Sequence, residues 1–324
     1  MKRVIYREFG HPAKVLELIE EDSVALEPGQ ARIEVLRSPI NPSDYIQVAG
    51  DYGVRPPLPA TAGNEGIGRV SEVNGEGIKV GQLVLLPIGD GAWRTEIVGQ
   101  ISHLVPMPEG DLDQLSMLMV NPATAHLLLS EFVHLKEGDW IIQSAANSAV
   151  GTYVVQLAKA RGINVCCVVR RESAAPALEE IGASAVLVDG PDLAKEVRQK
   201  TGAKMKLALD AVAGETFGRL AETLEEGGVL VNYGAMSMQP AQISAGSMIF
   251  RDITIKGFWL VHWFSKASKA ERMQVYASLT QAVAQGTLFA LIDKVFALED
   301  ITEAVSYTMA GERTGKVLLA PNGI

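Results

Sequence analysis

Asp139 to Arg171, DWIIQSAANSAVGTYVVQLAKARGINVCCVVRR, reads as strand, turn, helix and strand in succession. Trp140-Ile141-Ile142-Gln143 is apolar and strand-like, Ser144 to Ala149 is a turn of small residues, and Val150, Tyr153, Val154, Leu157 and Ala158 then recur at the 3.6-residue period of a helix packed on a sheet. A turn of this kind leaves the first N–H groups of the helix unpaired and aimed at an anion, as in the phosphate-cradling half of a dinucleotide unit. Gly151 allows helix and strand to approach closely. Asn147 and Ser148 stand where the first two glycines of the usual fingerprint are expected, so the motif alone is a weak signal. The second strand, Val165 to Val169, ends about 20 residues after the turn, where an NAD enzyme presents an acid to the ribose diol. This chain presents Arg170 and Arg171, whose guanidinium groups match the 2'-phosphate of NADP. The competing reading is a pair of solvated charges at a strand end.

The rest of the chain sets bounds. A length of 324 residues with 48% hydrophobic content suggests two domains with ample cores. The net charge of −9 argues against a nucleic-acid partner. The two cysteines, Cys166 and Cys167, are adjacent on a strand, so their side chains face opposite ways and suit buried thiols in a reducing compartment. Met1 to Glu8 already reads as a strand rather than a cleavable signal, and no apolar run reaches membrane-spanning length; the expectation is a cytoplasmic protein with no membrane partner.

The first third is rich in glycine and proline, with short strands expected at Lys2–Tyr6, Ala31–Leu36, Gly66–Val73, Leu83–Leu86 and Trp93–Val98, the pattern of a small β-barrel. From about Met117 helices alternate with strands at Trp140–Gln143, Asn164–Val169, Ala185–Val188, Leu207–Asp210, Val229–Asn232 and Ile253–Lys256. These predict a doubly wound parallel sheet. The tail carries a helix from Ala267 to about Gln285, a strand near Lys294–Ala297, a helix near Ile301–Met309 and a strand Lys316–Ala320, and is expected to return to the first domain. The expected domains are therefore 1–117 with 266–324, and 118–265, in an α/β chain.

A barrel followed by a dinucleotide domain can house a zinc-dependent dehydrogenase, which needs three ligands from cysteine, histidine and carboxylate. Neither the cysteines nor His11, His103, His126, His134 and His262 are spaced for this, so the expectation is catalysis without a metal. Hydride must then reach a carbon activated by its own substituents, as in a conjugated enone or enoyl thioester, with the protein supplying a proton and oxyanion donors. A tyrosine suits the proton role because its hydroxyl is neutral near pH 7. The candidates are Tyr45 and Tyr52, between which composition does not choose; a tyrosine is more often a packing residue.

Further segments carry a resemblance: Asn41-Pro42-Ser43-Asp44, Gly50-Asp51-Tyr52-Gly53, Pro59 to Gly66 (PATAGNEG), Trp93-Arg94-Thr95-Glu96, Val120 to Ala125 (VNPATA), Gln143 to Gly151, Tyr233-Gly234-Ala235-Met236 and Gly257-Phe258-Trp259-Leu260. Over nearly its whole length the chain resembles the mitochondrial-type trans-2-enoyl-thioester reductases, in the zinc-free branch of the medium-chain dehydrogenase/reductase superfamily. The resemblance implies a GroES-like β-barrel catalytic domain, a Rossmann domain, NADPH as hydride donor and a homodimer. It implies that Asn64 and Asn41 stand where zinc-bearing relatives carry a histidine and a cysteine, and that Tyr52 is the catalytic tyrosine, with Arg170 on the 2'-phosphate. Arg171 and Glu172 depart from the family's pair after that arginine. Asn147, Ser148, Ala149, Val150 and Gly151 would hold the pyrophosphate; Asn121 and Thr124 would lie by the nicotinamide, or else cap a helix beside Pro122. Tyr233, Gly234, Ala235, Met236, Phe258, Trp259 and Leu260 would line the cofactor channel, or else pack the end of the sheet, and Lys316 would reach the cofactor, or else be solvated.

The implied reaction is NADPH-dependent reduction of the 2,3 double bond of an enoyl thioester carried by coenzyme A or an acyl carrier protein. Arg55, Arg251, Lys266, Lys269 and Arg272 are candidates for a cationic rim facing that carrier, or else solvated charges. The rival readings are a quinone or enone reductase of the same superfamily and an NADPH-binding protein without turnover.

Overall fold

The computed structural model describes residues 1–311 and 313–323. The chain divides into two units, Met1–Val120 with Phe289–Ile324, and Asn121–Leu288. In chain order the first unit contributes β1 (Lys2–Tyr6), β2 (Glu17–Glu20), β3 (Gln30–Pro39), β4 (Ala60–Thr61), β5 (Ile67–Asn74), β6 (Leu83–Leu85), β7 (Glu96–Gln100) and β8 (Val105–Met107). The second contributes β9 (Trp140–Gln143), β10 (Asn164–Val169), β11 (Ala185–Val188), β12 (Met205–Asp210), β13 (Leu224–Asn232) and β14 (Thr254–Gly257). The chain then returns to the first unit with β15 (Ile292–Ala297) and β16 (Lys316–Ala320).

In the first unit the sheet runs β15-β16-β3-β5-β6-β8, β7 pairs with Gln30–Glu34 of β3 on the edge opposite β5, and a smaller sheet runs β2-β1-β4. The tail returns as the sequence predicts: β16 lies antiparallel to β3, Leu318 opposite Pro39 and Leu319 opposite Ser38. Alternation along β3 buries Ala31, Ile33 and Val35 against Val70, Val84 and Ile97, while a second cluster gathers Val4, Tyr6, Ile40, Trp93, Phe296, Val317 and Leu319. Each such large side chain, once buried, contributes roughly 1.5–3 kcal/mol. Trp93 was expected to open a strand, yet β7 begins at Glu96. Arg94 instead makes an isolated bridge to Arg3, and Trp93 fills the core.

In the second unit the order β11-β10-β9-β12-β13-β14 is parallel throughout, the doubly wound sheet read from the sequence. The helix Ala149–Ala160 buries Gly151, Tyr153, Val154, Val155, Gln156 and Ala158; of the predicted stripe, Tyr153, Val154 and Ala158 are buried and Val150 and Leu157 only half-buried. The helix Asn121–Ser130 packs against it. Cys166 and Cys167 are both buried and unlinked, and burial pushes each thiol up to about 12. The helix Lys269–Ala284, assigned to the returning tail from sequence, belongs here because it packs on Asn121–Ser130; the units part at 120/121 and 288/289 rather than at 117 and 265. Among the described residues no helix is long and apolar enough to cross a membrane.

Candidate active site

The register of the parallel sheet sets Gln143 beside Cys167 and Leu209, Asp210 beside Asn232, and Asn232 beside Gly257. The segments that follow these strands therefore leave from one edge: Ser144–Ser148, Arg170–Arg171, Ala211–Ala213, Tyr233–Met236 and Phe258–Leu260. That edge is where the winding reverses between β9 and β12, the place where open α/β sheets bind ligands. Ser148 is the N-cap of the helix Ala149–Ala160, its Oγ accepting from Gly151 N at 3.2 Å, and the first turn holds no acid to neutralise the positive end of the helix. A Cβ on Gly151 would lie 2.7 Å from the carbonyl carbon of Ala146 and 2.8 Å from its Cα, so glycine is required. From below, Gln143 Nε2 donates to Gly151 O at 2.9 Å. Asn147 is exposed at the crest, and Arg170 and Arg171 are exposed just beyond β10. A free helix N-terminus, a close backbone approach and two guanidinium groups fit the phosphates of a dinucleotide.

The residues that stiffen this edge were not anticipated. Ser144 Oγ donates to Asp210 Oδ1 at 2.7 Å and accepts from Ala211 N at 2.9 Å. The fully buried Asp210 carboxylate also accepts from Val212 N (3.1 Å), Ala213 N (2.8 Å) and Asn232 Nδ2 (2.8 Å), and Asn232 Nδ2 donates further to Gly234 O at 2.9 Å. One carboxylate thus ties together the ends of β9, β12 and β13. The available signal was an acid closing the apolar run Leu207-Ala208-Leu209. Burial raises the Tyr233 phenol well above its ordinary range, and the Asp210 charge adds to this. Gly234 runs close to Ala211, whose oxygen would lie 2.8 Å from an added Cβ; Ala235 and Met236 are exposed. Phe258 meets Phe132 edge-on at 6.0 Å, Trp259 caps the helix Leu260–Lys266, and Leu260 is buried. Phe258 and Trp259 line a groove of about 720 Å³ with His126, His262, Trp263 and Lys266. Two of the five rim cations are structural: Arg251 holds the carbonyls of Ala221, Glu222 and Leu224, and Arg55 Nε donates to Gly50 O at 2.6 Å.

In the first unit, residues 42–49 form a helix that the sequence reading passed over. Asn41 is its N-cap, Pro42 occupies the first turn, and Asp44 Oδ2 accepts from Asn41 N at 2.6 Å. It ends at Gly50, left-handed at φ 88°, where the chain turns toward Tyr52. The two candidate tyrosines separate here. Tyr45 packs on the core cluster around Tyr6 and Ile40, and its burial raises the phenol; Tyr52 lies half-buried in the irregular segment beyond. Asn121 and Thr124 are both buried in the first turn of Asn121–Ser130.

Lys316 is not solvated. Its Nζ donates to Asn41 Oδ1 at 2.5 Å and Ile40 O at 3.1 Å, within a buried cluster completed by Asp44, Asn64 and Glu65. Burial pushes Asp44 up to about 6 against donors from Asn41 and Asn64; it also raises Glu65 and lowers Lys316, each opposed by the other's charge. Among the described residues no three histidine, cysteine or acid side chains come together. Asn41 and Asn64 are neutral amides already oriented by internal hydrogen bonds, and the Lys316 ammonium adjoins Asn41. That donor set does not fit zinc, which takes thiolate, imidazole and carboxylate.

Two family models match the chain: the alcohol dehydrogenase GroES-like domain over residues 27–109 and the zinc-binding dehydrogenase over 149–277. The mitochondrial enoyl-[acyl-carrier-protein] reductase of Rattus norvegicus is 35% identical over 319 residues, 95% of this chain and 86% of that protein, and the human one is 34% identical over 98% and 88%. Etr1p with NADP and crotonyl-CoA, and the Etr1p/Etr2p 2-enoyl thioester reductase heterodimer of Candida tropicalis, superpose with TM-scores of 0.88 and 0.87. Both are 28% identical and cover 98% of this chain and 99% of theirs. A Bacillus thuringiensis protein described as an NADPH:quinone reductase superposes at 0.90, 27% identical, over 98% of each chain. With a GroES-like barrel, a parallel dinucleotide sheet and full-length likeness to these relatives, the chain belongs to the mitochondrial-type enoyl thioester reductases, in the zinc-free branch of the medium-chain dehydrogenase/reductase superfamily.

Proposed function

We propose that this protein is an NADPH-dependent oxidoreductase that saturates the 2,3 double bond of a trans-2-enoyl thioester carried by coenzyme A or an acyl carrier protein. The observation that carries the reading is the sheet edge on which the glycine-pinned turn Asn147–Gly151 and the exposed pair Arg170–Arg171 occur together. When bound, the reduced nicotinamide supplies hydride to the β-carbon. Asn147 to Gly151 hold the pyrophosphate with helix N–H groups, while Arg170 and Arg171 select the 2'-phosphate. Tyr233 to Met236 and Phe258 to Leu260 shield the cofactor channel from water, and Asn121 and Thr124 orient the nicotinamide. Tyr52 donates its hydroxyl hydrogen to the thioester oxygen as charge builds there, or its proton to the α-carbon. The test is NADPH oxidation with crotonyl thioester beside a small quinone. Turnover of the quinone alone would favour the second reading, a quinone reductase, which the Bacillus thuringiensis likeness supports.

We infer further that the protein is a homodimer. β14 is the outer strand of its sheet, all four of its residues are exposed, and Ile249 and Phe250 on the preceding helix are 71% and 81% exposed. An uncovered strand edge beside apolar side chains favours pairing with a second copy. A monomer mass by light scattering at micromolar concentration would refute this.

A further inference from the structure

The buried cluster of the first unit is wired in one direction only. Lys316 is a pure donor, so its bond to Asn41 Oδ1 at 2.5 Å compels Asn41 Nδ2 to face Glu65 Oε1, at 2.6 Å. Glu65 Oε2 accepts from the backbone N–H of Val120 at 2.9 Å. Both Glu65 oxygens therefore meet obligate donors, and the ammonium and carboxylate polarise the amide between them. The same Asn41 caps the helix that ends at the turn toward Tyr52, and its backbone N–H is held by Asp44. Val120 immediately precedes Asn121. Lys316 and Asn41 are 275 residues apart in sequence, so one buried relay ties the returning last strand to the backbone leading into both groups of candidate reacting residues.

We propose that Glu65 and Lys316, joined through the Asn41 amide, are positioning residues for the reduction, setting the backbone at Val120 and the helix before Tyr52 without touching substrate. This rests on the reading of the protein as an enoyl thioester reductase. A glutamine at 65 must turn an N–H toward either Asn41 Nδ2 or Val120 N, and the Lys316 ammonium forbids Asn41 from flipping to accept it. Removing the ammonium as well lifts the strongest constraint on that flip, leaving the Asp44 N–H of the capping box to oppose it: in the turned state Asn41 Oδ1 accepts from the new amide, whose oxygen still accepts from Val120.

The experiment compares the wild type with Glu65→Gln, Lys316→Met and the double variant in the full-length protein, at saturating NADPH with crotonyl thioester, and measures NADPH affinity by fluorescence titration. Wild-type turnover of crotonyl thioester tests the underlying reading by itself; if only a quinone is turned over, that reading fails and the same comparison is made with the quinone. The expected result is a kcat about 10–100-fold lower in Glu65→Gln, the scale of misplacing reacting groups by an ångström. KM and NADPH affinity should stay within about twofold. Adding Lys316→Met should recover part of the lost kcat, a suppression that general destabilisation does not produce. Unchanged kcat in Glu65→Gln, or a double variant slower than that single one, would overturn the proposal. A Lys316→Met variant whose main defect is lost NADPH affinity would overturn it too, by placing the lysine on the cofactor. Should Glu65→Gln not fold alone, folding and turnover of the double variant carry the test: a double variant that also fails to fold, or that folds without measurable turnover, counts against the relay.

Discussion

Gly151→Ala probes the geometry on which the cofactor assignment rests. The added Cβ would sit 2.7 Å and 2.8 Å from two backbone atoms of Ala146 and closer still to its oxygen, where ordinary contact begins at 3.4 Å. No flexible side chain can give way, so turn and helix must part by roughly 0.7 Å or more, an overpacking that costs about 2 kcal/mol. For a unit of this size that lowers Tm by about 4–8 °C. The same displacement pulls the helix N–H groups from their phosphate; losing one charge-assisted hydrogen bond weakens NADPH by about 10–100-fold. Scanning fluorimetry and NADPH titration read the two effects. Gly190→Ala is the control, since no atom lies within 4 Å of the added Cβ there. Gly151→Ala with unchanged Tm and NADPH affinity would refute the close-approach argument.

Three other outcomes are expected. Arg170→Ala should weaken NADPH by about 10–100-fold while leaving NADH binding unchanged, because only the 2'-phosphate is deprived of its partner; equal losses for both coenzymes in parallel titrations would count against the assignment. Tyr52→Phe should lower kcat far more than NADPH affinity, since the hydroxyl acts chiefly in the transition state, and steady-state kinetics with crotonyl thioester would expose an idle hydroxyl as unaltered turnover. For Asp44, burial lifts the folded carboxyl from 3.8 to about 6, so between those values the folded state holds the proton more tightly than the unfolded one. Its contribution is thus fully present below pH 3.8 and is lost as pH rises through about 6, on the order of 3 kcal/mol in total. Urea unfolding of wild type and Asp44→Asn from pH 4 to 7 should show the wild type's relative stability falling over that window; a difference that stays constant or grows with pH would contradict the burial argument.

Much of the fold was legible from sequence because its signals are local. β1, β9, β10, β11 and β16 occupy the spans that alternation and apolar runs predict. The helix Pro42–Ala49 rests on the capping signature of Asn41, Pro42 and Asp44, a signal too short to stand out among the glycines and prolines around it. The start of β7 was misplaced because an aromatic, β-prone Trp93 is required by the core and not by the strand. The helix Lys269–Ala284 looked like part of the tail because chain order alone does not tell which unit its neighbour belongs to.

The nucleotide half of the candidate site was readable for the same reason: turn, helix N-terminus and strand-end arginines lie within one stretch of some 30 residues, and a βαβ unit admits essentially one handed arrangement of them. By itself the sequence determined the doubly wound parallel sheet, the small-residue turn that opens the helix Ala149–Ala160 and the arginines that follow β10. Tertiary structure alone decided that Asp210 binds three strand ends, that Tyr45 packs on the core while Tyr52 lies half-buried in the segment beyond its helix, and that Lys316 is buried with Asn41 and Glu65. Those facts depend on groups far apart in the chain, whose burial leaves each polar atom to be satisfied by whichever partner the fold delivers.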